Sequence, residues 1–201
     1  MSKIKIEPNA SGSGTLTISA PNTNTDRTLS LPDSAGEIST NKSTPMFSAK
    51  YTADHSTNYI ATGTWTIIQY DTEIIDTEGW YDHTTYKFTP QQAGYYVLTF
   101  NGQVSRENAS NDWFFMSGFL KNGSTADADT IIGNRIPHHG SSNVNASKFA
   151  DPAWSQTTIM YFNGSTDFTG GYFYQNSGAS TGHRLTSGGA GVFSGYLLRA
   201  V

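Results

Sequence analysis

The apolar residues of the chain fall in short strand-like runs broken by polar turn clusters, and no helical stripe of useful length appears. From Pro45 onward the strand-like runs are 46–51, 64–75, 86–89, 94–105, 113–120, 157–162, 168–174 and 192–198, separated by Gly, Asn, Ser, Asp and Pro clusters. In Trp65-Thr66-Ile67-Ile68-Gln69-Tyr70 both faces of the strand carry apolar groups, and Tyr95-Tyr96-Val97-Leu98-Thr99-Phe100 repeats that two-sided character. Such strands suit a position with one face on a core and the other on a second subunit. Short strands joined by long loops predict an all-β, two-sheet sandwich of jelly-roll type.

Residues 1–44 read differently. They contain no aromatic residue and are rich in Ser, Thr, Asn, Gly and Pro. Two short alternating runs, Thr15-Leu16-Thr17-Ile18 and Thr28-Leu29-Ser30-Leu31, put Leu16 and Ile18, then Leu29 and Leu31, on one face. A lone hairpin with one thin apolar stripe is marginal in water. The alternation therefore predicts an extended N-terminal β arm that orders against partner chains through those four residues. The chain then divides into an arm over 1–44 and a head over 45–201.

Composition narrows the class. Charged residues make up 14% and aromatics 13%, a balance that disfavours a solvated helical bundle and favours pleated surfaces. With 12 Lys and Arg and a formal net charge of −4, no basic face for nucleic acid is expected. No run of about 18 apolar residues predicts membrane insertion, and the N-terminus lacks the apolar stretch of a secretory signal. Without cysteine, stability must come from packing, including packing between subunits.

The order of motifs adds a resemblance. Pro45-Met46-Phe47-Ser48-Ala49, then Tyr81-Asp82, Tyr86-Lys87-Phe88-Thr89-Pro90 and Ala93-Gly94-Tyr95-Tyr96-Val97-Leu98, and finally Phe193-Ser194-Gly195-Tyr196-Leu197-Leu198, resemble the C1q/TNF-like jelly-roll head over about residues 45–201. That resemblance implies a homotrimer. Within the arm, Gly14-Thr15-Leu16-Thr17-Ile18, Ala20-Pro21-Asn22-Thr23-Asn24 and Arg27-Thr28-Leu29-Ser30-Leu31-Pro32-Asp33 are similar to a segment found near the start of bacteriophage fibre and other virion surface proteins. The two together imply a phage virion surface protein, a tail or head fibre or a capsid decoration subunit, with other virion proteins as partners.

Chemistry has few footholds. Asp71, Glu73, Asp76, Glu78 and Asp82 place five acids in twelve positions. Glycoside cleavage needs two carboxylates about 5–10 Å apart across a cleft, and a hard cation such as calcium needs several oxygens. A solvated loop is the simpler reading, so no catalytic residue and no required cofactor are expected. Asp76, Glu78 and Asp82 are the weak metal candidates, with calcium as the ion. Aromatic residues in loop-like contexts are the better binding candidates: Trp80 and Trp154 first, with Tyr81 and Trp113 beside them, as stacking surfaces for a host-surface glycan. The expected function is a non-enzymatic fibre whose head binds a host receptor or glycan. The alternatives are a decoration protein anchored through its arm and, more weakly, a polysaccharide-cleaving tail protein.

Overall fold

In the computed structural model the chain divides into two compact units, Met1–Ile38 and Ser39–Val201. The residues described are 11–15, 17, 19, 22–26 and 28 of the first unit, and 44–52, 60–106, 113–127, 130–133, 136–138, 153–177, 183–185 and 191–201 of the second. The described positions of the first unit are exposed and belong to no strand, Thr15, Thr17 and Thr28 among them. Leu16, Ile18, Leu29 and Leu31 lie outside the described residues.

The second unit is all-β. Its strands are β1 (Met46–Lys50), β2 (Thr66–Ile67), β3 (Thr72–Asp76), β4 (Tyr81–Asp82), β5 (Lys87–Phe88), β6 (Ala93–Arg106), β7 (Trp113–Phe119), β8 (Ile131–Ile132), β9 (Ile136–His138), β10 (Ala153–Asn163), β11 (Gly171–Gln175), β12 (His183–Leu185) and β13 (Val192–Ala200). The first sheet runs β10-β6-β13-β1-β3, with β12 also on β6; the second runs β2-β11-β7-β8, with β9 also on β7. Every strand pairing is antiparallel. Passing along the chain, successive long strands alternate between sheets: β6 in the first, β7 in the second, β10 in the first, β11 in the second, β13 in the first. This interleaving is the jelly roll. It places β13 beside β1 in the middle of the first sheet, so neither is an open edge.

Alternation on β6 carries the packing logic. Tyr96, Leu98 and Phe100 point inward and are fully buried, while Tyr95, Val97 and Thr99 point outward. The core they enter is aromatic: Phe47 stacks on Phe88 at 4.2 Å and meets Phe193 edge-on at 4.8 Å, and Phe100 meets Phe119 edge-on at 4.6 Å. Edge-to-face and offset pairs of this kind add to the burial energy of each ring. Core tyrosines keep their hydroxyls paired: Tyr70 donates to the Asn101 carbonyl, Tyr81 to that of Tyr70, and Tyr96 to that of Gln92. Gly195 is a tight contact on β13, where an added Cβ would stand 2.6 Å from Leu98 Cδ2 and 2.9 Å from Phe47 Cε1. Only glycine lets β13 approach this closely.

Two of the sequence-read runs change shape in the structure. The run 64–75 is not one strand. It splits into β2 in the second sheet and β3 in the first, and crosses between them at Ile68 and Tyr70, both buried. The two-sided apolar pattern there records a segment that changes sheet. The strand read from residue 157 begins at Ala153, because its pairing with β6 extends to Ala153 opposite Gln103.

Candidate functional site

The described head presents two faces with chemistry of their own and one acidic segment. The outward face of the first sheet is apolar at one end. Strand register aligns Ile159, Val97, Tyr196 and Met46 in one row across β10, β6, β13 and β1. The row beside it contains Tyr161 and Tyr95, whose rings lie 5.5 Å apart, and Arg199. Leu198 adds to the patch at the irregularity in β13. Ile159 is 56% exposed and Leu198 51%, and Met46, Tyr95 and Tyr196 are also exposed. Toward the other end the same face turns polar, with Thr157, Thr99, Ser194 and Ser48 in register and the Thr99 and Thr157 hydroxyls 2.9 Å apart. Contiguous exposed aliphatic and aromatic side chains on one sheet face mark an interaction surface.

The acidic segment serves its own turns. Asp76 accepts hydrogen bonds from the amides of Glu78, Gly79 and Tyr81, at 3.2, 3.0 and 2.7 Å. Asp82 accepts from the hydroxyl and amide of Thr84 and from those of Thr85, and these bonds hold its carboxyl well below the usual carboxylate range. Asp71 accepts from the Thr52 amide and hydroxyl and from the Thr72 hydroxyl. Glu73 pairs with His83 Nδ1 at 2.9 Å. A carboxyl held ionised by its own turn is a poor proton donor. Among the described residues no three His, Cys, Asp or Glu side chains gather as a metal group.

The aromatic candidates fall in different places. Trp154 stands within β10 and not in a loop; it is 7% exposed, its ring lies 4.7 Å from that of Phe173, and it covers Gly102 on the paired strand. Tyr81 is 4% exposed, stacks on Phe47 at 5.3 Å and belongs to the core. Burial, reinforced by the charge of Glu73, pushes its phenol far above the ordinary range. Trp80 is partly buried against the same core. The backbone of Trp113 opens β7, and its side chain lies outside the described residues. The Trp154 and Tyr81 rings pack inward because each belongs to a strand whose register aims it at the core.

A network the sequence did not flag closes one edge of the head. Lys121 and Asp167, both nearly buried, pair at 3.1 Å. Asp167 also accepts from Asn122 Nδ2 and the Asn163 amide, and Lys121 Nζ stands 5.4 Å from the Tyr161 ring centroid. Asn122 adopts φ 54°, a left-handed conformation asparagine tolerates, which lets its side chain reach back to Asp167 and the Phe168 amide. An isolated Lys-Asn-Gly and a distant Ser-Thr-Asp offer no sequence signal of such a pairing.

No family model matches the chain, and no curated protein sequence matches it. Solved structures similar to it include the globular domain of zebrafish complement 1qA protein, at 15% identity over 78% of this chain and 98% of that one, TM-score 0.49. Murine APRIL covers 77% of this chain and 99% of its own at 6% identity, TM-score 0.46. The PRD1 vertex protein P5 covers 77% and 97% at 11% identity, TM-score 0.45. The jelly-roll assignment rests on the strand order described above.

Proposed function

We propose that the chain is a non-enzymatic, homotrimeric virion surface protein of a bacteriophage, whose head projects from the particle and binds a host receptor. One observation supports the oligomer above all: the row Ile159, Val97, Tyr196 and Met46, with Tyr95 and Leu198 beside it, is an apolar sheet face that none of the described residues covers. Three copies meeting through this face would bury it, and closed symmetry would leave none exposed. The number three, and the virion setting, rest on the resemblances of the head and arm motifs. A binding role is favoured over cleavage because the acids at Asp76 and Asp82 are engaged by their own turns.

The arm over 1–44 is the attachment element on this reading, with Leu16, Ile18, Leu29 and Leu31 as its contacts. Labelled full-length protein, imaged on particles, tests the location. Label on the tail, and loss of particle binding on Leu29→Asp with Leu31→Asp, support the fibre. Label spread over the capsid transfers the assignment to a decoration protein. Release of reducing ends from host polysaccharide would overturn the binding role.

A further inference from the structure

The outward face of the second sheet differs in kind from that of the first. Its strands β2, β7 and β11 contain no Asp, Glu, Lys or Arg. On β7 and β11, Phe115, Ser117, Phe119 and Phe173 are buried inward, and alternation puts Phe114, Met116, Tyr172 and Tyr174 on the other face, where Tyr172 is itself buried and the other three are half-buried. The pairing of Tyr172 with Ile67 continues that face onto β2 beside Trp65. The Trp65 ring stands 5.5 Å from Tyr174, and the Phe114 ring lies 5.9 Å from Tyr174 at 24°. All three are half-buried. Asn176 sits at their edge: its Oδ1 accepts from the Phe114 amide at 2.7 Å and its own amide donates to the Phe114 carbonyl at 3.3 Å. Those bonds fix the side chain through Oδ1 and take no part of Nδ2.

The two faces call for different occupants. Exposed Ile159 and Leu198 on the first sheet need the dry cover of another protein surface. The rings of the second sheet are already braced by one another and need only a flat partner. A pyranose offers one: C–H groups on its face stack on aromatic rings, and hydroxyls around its rim require amide-type donors and acceptors. A carboxylate- or phosphate-bearing ligand would find no cation on these three strands to offset its desolvation.

We propose that Trp65, Tyr174 and Phe114, with Asn176 at their edge, form a binding platform for a neutral glycan. The proposal rests on the receptor-binding reading and names its ligand class and its place.

The test is labelled full-length protein on an array of neutral and acidic glycans, followed by tryptophan-fluorescence titration with the best neutral binder. Binding to at least one neutral glycan is expected, with acidic glycans weaker. Trp65→Ala and Tyr174→Ala should each lower affinity about fivefold to tenfold, and by more on a multivalent surface. Tyr174→Phe should retain most of the affinity. Asn176→Asp keeps the acceptor for the Phe114 amide and removes the Nδ2 donor, so it should weaken binding with no change in melting temperature. Trp80→Ala should bind as the parent does. Preference for acidic glycans, no neutral binder, or neutral binding untouched by Trp65→Ala, Tyr174→Ala and Asn176→Asp overturns the platform. Host-cell binding that survives those variants overturns the platform alone; a protein that decorates the capsid and binds no host cell overturns the receptor reading.

Discussion

Tyr95 on β6 and Tyr161 on β10 stand opposite each other on the outward face of the first sheet, their rings 5.5 Å apart. Their chain neighbours Tyr96 and Phe162 meet edge-on at 5.6 Å inside the core. The same two strands thus carry an aromatic pair on each face. The inner pair fills the space between the sheets, and the outer pair belongs to the surface we assign to subunit contact.

Gly191 marks a place where backbone and ring leave no room. An added Cβ would stand 1.7 Å from Tyr51 Cε1, and the Tyr51 ring is fully buried. Gly191→Ala is expected to cost about 1–3 kcal/mol, the range for forcing extra volume into a packed core. Thermal melting checks this, with Gly63→Ala as the contrast. Gly63 has open space around it but a φ of +71°, so its loss should be smaller and purely conformational.

Asp167 should make stability depend on acid pH. Burial alone would raise its pKa, but the hydrogen bonds from Asn122, Lys121 and the Asn163 amide, with the Lys121 charge, hold it below the ordinary aspartate value. A carboxyl lowered on folding contributes stability above its unfolded value and loses that contribution as pH falls through the folded one. Asp167→Asn is therefore expected to destabilise by about 2 kcal/mol at neutral pH. In urea melts the gap to the parent protein should stay constant from pH 7 to 5 and close below about pH 4.

Trp154→Ala separates a core role from a binding role. Trp154 covers Gly102 and contacts Phe173, so its truncation should cost about 3–5 kcal/mol through lost burial and a cavity. Glycan affinity of the molecules that remain folded should be unchanged. A drop in affinity with no loss of stability would restore Trp154 as a ligand contact.

Much of the head was legible in the sequence because period-two alternation records which face of a strand is buried. Tyr96, Leu98 and Phe100 declare an inward face, and Gly195 declares a close approach, since a Cβ there would stand 2.6 Å from Leu98 Cδ2. Alternation also showed that β6 has a second apolar face. It failed where the chain changes sheet: between Trp65 and Ile75 the pattern continues while the partner strand does not. Trp154 looked like a loop residue because its neighbours Asp151, Pro152 and Ser155 are turn formers, yet register with Gly102 extends β10 past it. The ring row of Trp65, Tyr174 and Phe114 joins three strands far apart in sequence, and only their pairing brings it together.

We assign the outward face of the first sheet to the contact between three copies. Sedimentation equilibrium of the full-length protein at micromolar concentration tests it most directly, with Ile159→Glu and Tyr196→Glu alongside. Both substituted side chains are exposed in the single chain, so each variant should fold. The parent should sediment at three times the chain mass and the variants at one chain mass, because a carboxylate in an apolar contact cannot be desolvated without a partner. A parent protein that sediments as a stable monomer, or variants that remain trimeric, would contradict it.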